Sequence, residues 1–195
     1  GLGIVFGALA SLFCRAMHIG GTLYKKIENP YLRIVVGGCI VALLSLLVRS
    51  GDYNGAGMSV ISAALAGHAV PWAFALKIVF TVLTLGAGFK GGEIVPCFFV
   101  GATCGCVVAP LLGMDAGFGA ALGLIAVFCG VTNSPMTSIL LGYELFGGQG
   151  LALLAMCAAV SYLLSGYSGL YREQKIIYSK TSPVFIGRKG GEEKQ

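Results

Sequence analysis

The chain has 195 residues, 56% of them hydrophobic and only 11% charged, with a mean hydropathy of +0.87 and a formal net charge of +5. Soluble domains carry about 25% charged residues, and a water-soluble fold of this size has no interior able to hide so much apolar surface. A bilayer can accept it, because helices satisfy their own backbone groups and leave apolar side chains to face lipid; an all-α polytopic membrane protein is expected, with no nucleic-acid partner.

An apolar segment runs from Gly1 to about Met17, followed by a polar loop over 18–33 that holds Lys25, Lys26, Glu28 and the helix-breaking Asn29-Pro30. Tyr31 to Val48 is long enough to span, and Arg49 to Gly55 is a turn-rich break. Met58 to His68 is too short to cross and reads as a half-helix. Pro71 to Gly88 reads as a full segment interrupted only by Lys77, whose ammonium is expected to snorkel or to line a vestibule. His18 and His68 are placed at helix ends as interfacial residues.

A further apolar helix is expected from Cys97 to about Leu112, then a turn over Met114 to Gly117. Ala120 to Gly130 and Pro135 to Phe146 both fall short of a full span. Between them Ser134 is placed to cap, with Pro135 at the first helical position. Leu151 to about Ser165 is the last full segment. From Gly117 to Tyr171 the only charge is Glu144, read as a polar residue at a helix end. The tail carries Arg172, Lys175, Lys180, Arg188, Lys189 and Lys194 against three glutamates, which places it in the cytoplasm by the positive-inside tendency.

Thirty-one glycines point to close helix packing and broken helices. The seven cysteines form no CxxC and no cluster with histidine at metal-ligand spacing, so they are read as small buried hydrophobes. No HExxH, GxSxG or paired catalytic acids occur; no enzyme activity, metal or cofactor is expected. The chain has no initial Met and no basic region before its first apolar run, so it is expected to start inside a longer protein.

Mixed full and half spans with glycine breaks suit transporters, whose sites lie where half-helix N-termini meet. Two such points stand out, Gly92 to Pro96 and Asn133 to Pro135. In Gly91-Gly92-Glu93-Ile94-Val95-Pro96 two glycines free the backbone and a proline suits a helix start. The first amides of a helix lack internal partners and carry the positive end of its dipole, so they can hold an anion without a basic side chain. Glu93 is an acid at membrane depth, able to carry protons or to tune anion affinity; the alternative is a carboxylate capping the helix at a wet surface. Tyr171 follows Gly166-Tyr167-Ser168-Gly169-Leu170, and its hydroxyl can donate to an anion without adding charge, though by itself it also fits an aromatic belt.

At these residues the chain resembles the CLC family of chloride channels and halide/proton antiporters. Gly92-Glu93-Ile94-Val95-Pro96 stands where that family has Gly-x-Phe-x-Pro, and Tyr171 matches the tyrosine that reaches back to the central anion. Pro135 with Leu140-Leu141-Gly142-Tyr143-Glu144 resembles the helix that follows the signature, and Lys77 falls where relatives carry a basic residue. Glu93 within Gly-Gly-Glu-Ile-x-Pro, and the run Gly169-Leu170-Tyr171-Arg172-Glu173-Gln174-Lys175, are similar to the fluoride/proton antiporter branch, which has a threonine where Val95 stands.

The resemblance implies a CLC-type inverted-repeat fold with discontinuous helices, of which this chain holds the second repeat and the helix before it. Residues 1–17 would end the first repeat, 18–33 form a polar loop, 34–170 make the second repeat, and 171–195 form a terminal helix and basic cytoplasmic tail. It further implies fluoride/proton antiport, or alternatively a chloride channel or chloride/proton antiporter, by a homodimer in a bacterial-type plasma membrane. The anion would meet Gly92, Glu93, Ile94, Val95, Pro96 and Tyr171, with Glu93 coupling protons and the gating glutamate outside this chain.

Overall fold

Helix boundaries follow the breakers in the sequence. Asn29 accepts from the amides of Tyr31 (3.0 Å) and Leu32 (3.4 Å) and Pro30 takes the first helical position, the usual division of labour at a helix start. Asp115 caps its helix in the same way through the Phe118 amide at 2.7 Å. The computed structural model describes residues 1–167, 169–171, 174–180 and 185–189. Ser168, Arg172, Glu173 and the segments 181–184 and 190–195 lie outside the described residues, and with them part of the basic tail.

Among the described residues eight α-helices run in order: α1 Leu2–Tyr24, α2 Pro30–Val48, α3 Met58–Leu65, α4 Ala73–Gly86, α5 Ile94–Val108, α6 Ala116–Thr132, α7 Pro135–Phe146 and α8 Leu151–Leu164. A 3-10 turn over Pro110–Leu112 extends α5. By length and composition, three segments among the described residues can cross a membrane: Leu2–Tyr24, Pro30–Val48 and Ile94–Leu112.

Several boundaries differ from the sequence reading. α1 continues through His18 to Tyr24, so the expected loop over 18–33 shrinks to a short link and His18 sits inside a helix. Ile19, Leu23 and Tyr24 carry the apolar pattern past His18, and the chain breaks only at Lys25-Lys26. α4 and α8, expected as full spans, each have 14 residues, about 21 Å at 1.5 Å per residue, short of the ~30 Å hydrocarbon core. α6, expected to be short, has 17 residues, and from Gly119 to Thr132 every one is buried. The expected terminal helix is also corrected. Lys175–Tyr178 (β1) pairs antiparallel with Phe185–Lys189 (β2), as the β-branched and aromatic content of Ile176-Ile177-Tyr178 and Phe185-Ile186 favours. The membrane body remains all-α.

α6 is the hub, packed on α1, α5, α7 and α8. Its closest partner is α5, and the seam between them is backbone against backbone. Gly101 faces the carbonyl of Gly123, and Gly105 faces the carbonyl of Gly119. These are two Gly-x-x-x-Gly pairs on facing helices, the spacing that brings membrane helices to close approach. α1 meets α8 the same way, Gly3 against Val160 and Gly7 against Ser161 and Leu164. Ser161 donates to the Ala126 carbonyl at 2.6 Å, tying α8 to α6. Cys14, Cys97, Cys104, Cys106 and Cys129 are buried and unpaired as thiols, whereas Cys39 is exposed and Cys157 half-buried.

Lys77 fills only one of its two expected roles. It is 1% exposed and does not snorkel; its ammonium donates to the carbonyls of Tyr53 (3.1 Å) and Gly55 (2.7 Å) and lies 4.9 Å from the Phe99 ring centroid. It thereby fastens the loop between α2 and α3 to α4, beside Tyr53, which packs on Phe80 and Phe99.

Candidate functional site

The chain reaches the site through a turn at Gly88, whose φ of +99° suits glycine. The Arg33 side chain lies against this turn and donates from Nε to the Ala87 carbonyl at 3.2 Å, a cation at the C-terminal end of α4. Gly91 and Gly92, by contrast, do not have positive φ. Gly92 is exposed and a side chain there would meet nothing within 4 Å. The freed backbone therefore belongs to Gly88, while Gly92 leaves the following amides uncovered.

Glu93 occupies the N-cap of α5 with φ −91° and ψ −17°, yet its carboxylate makes no capping bond. The first helical hydrogen bond runs from the Cys97 amide to the Glu93 carbonyl at 3.2 Å. With Pro96 lacking an N–H, the amides of Glu93, Ile94 and Val95 precede that bond and have no partner within the helix. Glu93, Ile94 and Val95 are half-buried and Pro96 is buried. The capping reading of Glu93 is thus not the one adopted: its carboxyl is left for another role, at the positive end of a helix that favours negative charge.

Beside this helix start lies a cavity of about 1330 Å³ between α2, α4 and the segment Lys90 to Pro96. Arg49, Lys77 and Lys90 are among its lining residues, which among the described residues include no carboxylate. Such one-signed walls concentrate anions. Lys77 thus does line a cavity, but with its ammonium engaged by carbonyls.

At the second point, α6 ends on Asn133 in the left-handed region (φ 55°) and Pro135 opens α7. Ser134 holds the N-cap position without capping; its hydroxyl donates back to the Thr132 carbonyl at 3.2 Å. Glu144 lies exposed in the last turn of α7.

Tyr171 is 47% exposed. Its place is set by the main chain: the Leu170 amide donates to the Val131 carbonyl at 3.0 Å, and the Gln174 side chain donates to the Thr132 carbonyl at 3.1 Å. A residue the sequence reading passed over completes this corner. Lys180, in the link after β1, donates to Asn133 Oδ1, to the Tyr162 carbonyl (2.7 Å) and to Ser165 Oγ (3.3 Å). Burial pushes its amine down to about 8, partly offset by the neighbouring thiols of Cys129 and Cys14, so it is still mostly ammonium at neutral pH.

Short and long apolar helices, a helix start with uncovered amides and an uncapped acid beside a cation-lined cavity together define a polytopic membrane protein with broken helices. A family model described as voltage gated chloride channel matches residues 1–166, and the chain belongs to that family. A chloride/fluoride channel protein of Pseudomonas syringae pv. tomato is 40% identical over 185 residues, covering 91% of this chain and 41% of the relative. The crystal structure of a CLC-type fluoride/proton antiporter matches with a TM-score of 0.83 at 33% identity, over 87% of this chain and 43% of that one. The chain therefore spans less than half the length of either.

Proposed function

We propose that this chain supplies one half of a halide pathway that exchanges fluoride for protons, working in a homodimer with its tail on the cytoplasmic side of a bacterial-type plasma membrane. The observation that carries this reading is the start of α5, where three amides precede the first helical bond and the Glu93 carboxyl is not spent on capping them. The amides of Glu93 and Ile94, with Gly92, Val95 and Pro96 shaping the approach and the Tyr171 hydroxyl opposite, face the central anion. Fluoride is small and strongly hydrated, and donors held in place replace its water. The Glu93 side chain, close to that ion, takes up a proton in one half of the cycle and repels the anion when ionised. The likeness to a fluoride/proton antiporter, together with a relative named for both chloride and fluoride, supports halide transport with fluoride as the cargo.

The test is halide efflux from liposomes holding the full-length protein, followed with fluoride- and chloride-selective electrodes. Wild type is expected to release fluoride well ahead of chloride and to take up protons as it does so. Glu93→Gln is expected to slow proton-coupled fluoride release by about a hundredfold or more, the range associated with a lost proton-transfer group. Equal or faster chloride release would move the assignment to the chloride branch and leave Glu93 a local structural residue.

A further inference from the structure

The tail meets the C-terminal end of α6 through three successive donors. The Leu170 amide takes the Val131 carbonyl, the Gln174 side chain takes the Thr132 carbonyl, and the Lys180 ammonium takes the Asn133 side chain. Lys180 also donates to the Tyr162 carbonyl at 2.7 Å and to Ser165 Oγ at 3.3 Å, and lies 4.0 Å from the Tyr162 ring centroid. An ammonium has three N–H donors, and here three acceptors from two different helices meet them. Both helices end at this point, α6 at Asn133 and α8 at Ser165. Their last carbonyls lack helical partners and carry the negative ends of two dipoles, so a cation at the junction is favoured. The link is held further by the Lys180 amide, which donates to the Tyr167 hydroxyl at 3.3 Å, itself 2.9 Å from Ser179 Oγ.

Tyr171 sits between the first two of these donors, and its carbonyl accepts from the Gln174 amide at 3.1 Å. Its phenol is half exposed, and the pinned main chain on either side places its Cα. We propose that Lys180 is a positioning residue, whose ammonium locks the tail to the ends of α6 and α8 and so sets where the Tyr171 hydroxyl points along the anion path. The inference rests on the reading that Tyr171 faces the anion. It makes the tail a working part of the transport machinery.

The test is a double-mutant cycle on fluoride efflux from liposomes, using the full-length protein with Lys180→Ala, Tyr171→Phe and both together. Each single change is expected to lower the transport rate about tenfold, the loss that goes with one hydrogen bond to an ion. Because Lys180 acts through Tyr171, the double variant is expected to be no slower than Tyr171→Phe. Hydrogen exchange at residues 174–180 is expected to rise in Lys180→Ala while the helices stay protected. Should Lys180→Ala fail to fold, Lys180→Gln, which keeps two donors and no charge, takes its place in the cycle. Multiplying losses would mean that Lys180 acts by its charge alone and would overturn the proposal, as would unchanged transport in the Lys180 variant. A silent Tyr171→Phe would instead overturn the reading of Tyr171 itself, and this inference with it.

Discussion

Gly105→Val is expected to abolish recoverable folded protein, with a loss of about 3 kcal/mol or more, and Gly123→Val to do the same. A Cβ on Gly105 would overlap the Gly119 carbonyl oxygen and stand 2.8 Å from its carbon; one on Gly123 would overlap the Gly101 carbonyl and stand 3.1 Å from the Gly105 Cα. A flexible side chain could swing away from such an intrusion, but these neighbours are backbone. Relief requires moving a whole helix, and overpacking of a filled interior costs about 1–3 kcal/mol even where side chains can adjust. α6 cannot retreat, because its other faces are packed on α1, α7 and α8.

The measurement is the monodisperse fraction and melting temperature of purified protein in detergent. Gly21→Ala is the control: it lies in α1, a side chain there would meet nothing within 4 Å, and it should be neutral or slightly stabilising, by ~0.5 kcal/mol, through the unfolded chain. Near-native yields for Gly105→Val would mean that the α5–α6 seam is looser than backbone contact.

The spacing behind that seam is present in the sequence, though the glycine count by itself implied only close packing. Gly101 and Gly105, and Gly119 and Gly123, are four apart, so each pair lies on one helical face. What spacing cannot say is which helix a glycine face meets, so the glycine count predicted close packing without predicting the pair. The starts of α2 and α7 are legible for a firmer reason, since Asn29-Pro30 and Pro135 act locally, whereas α5 begins at Ile94, three residues before the expected Cys97. The end of α1 is not legible, because a Lys-Lys pair and two glycines look like a loop until tertiary contacts hold the helix. Gly20 packs on Val82, and Gly86 packs on Tyr24 and Gly20.

The candidate site divides in the same way. A helix start with unpaired amides is a local property, and Gly92 to Pro96 could be marked from the sequence alone. Lys180 could not. It is one of several basic residues in a polar tail, and its significance comes from Asn133, Tyr162 and Ser165, which are 47, 18 and 15 residues away in the chain. A charge is read from sequence as solvated unless something shows two helix ends converging on it.

Lys77 poses the same problem and carries the second large effect. Replacing it with Met keeps most of the stem volume but removes the donors to the Tyr53 and Gly55 carbonyls, leaving the buried Tyr53 acceptor and the more open Gly55 acceptor to find new partners. Hydrogen bonds to a charged group are worth about 1.5–3 kcal/mol each, and an acceptor left dry costs about 1–3 kcal/mol. Against this stands the ~20 kcal/mol idealised cost of holding a cation at low dielectric, reduced to several kcal/mol in real proteins by relaxation and water.

The cavity decides between the two. Lys77, Tyr53 and Gly55 all line it, so water can reach the ammonium and lower its cost, but the apolar ring of Phe99 on the other side offers the carbonyls nothing in return. Lys77→Met is therefore expected to be destabilised by about 3 kcal/mol, read as a lower melting temperature in detergent. Protease cleavage in the loop over 49–57 should rise with it, because that loop loses its tie to α4. Lys77→Arg, which retains donors and charge, should recover part of the loss. If Lys77→Met melts with wild type and its loop resists cleavage, water in the cavity replaces the ammonium at both carbonyls, and the lysine serves the charge of the cavity wall instead of the fold.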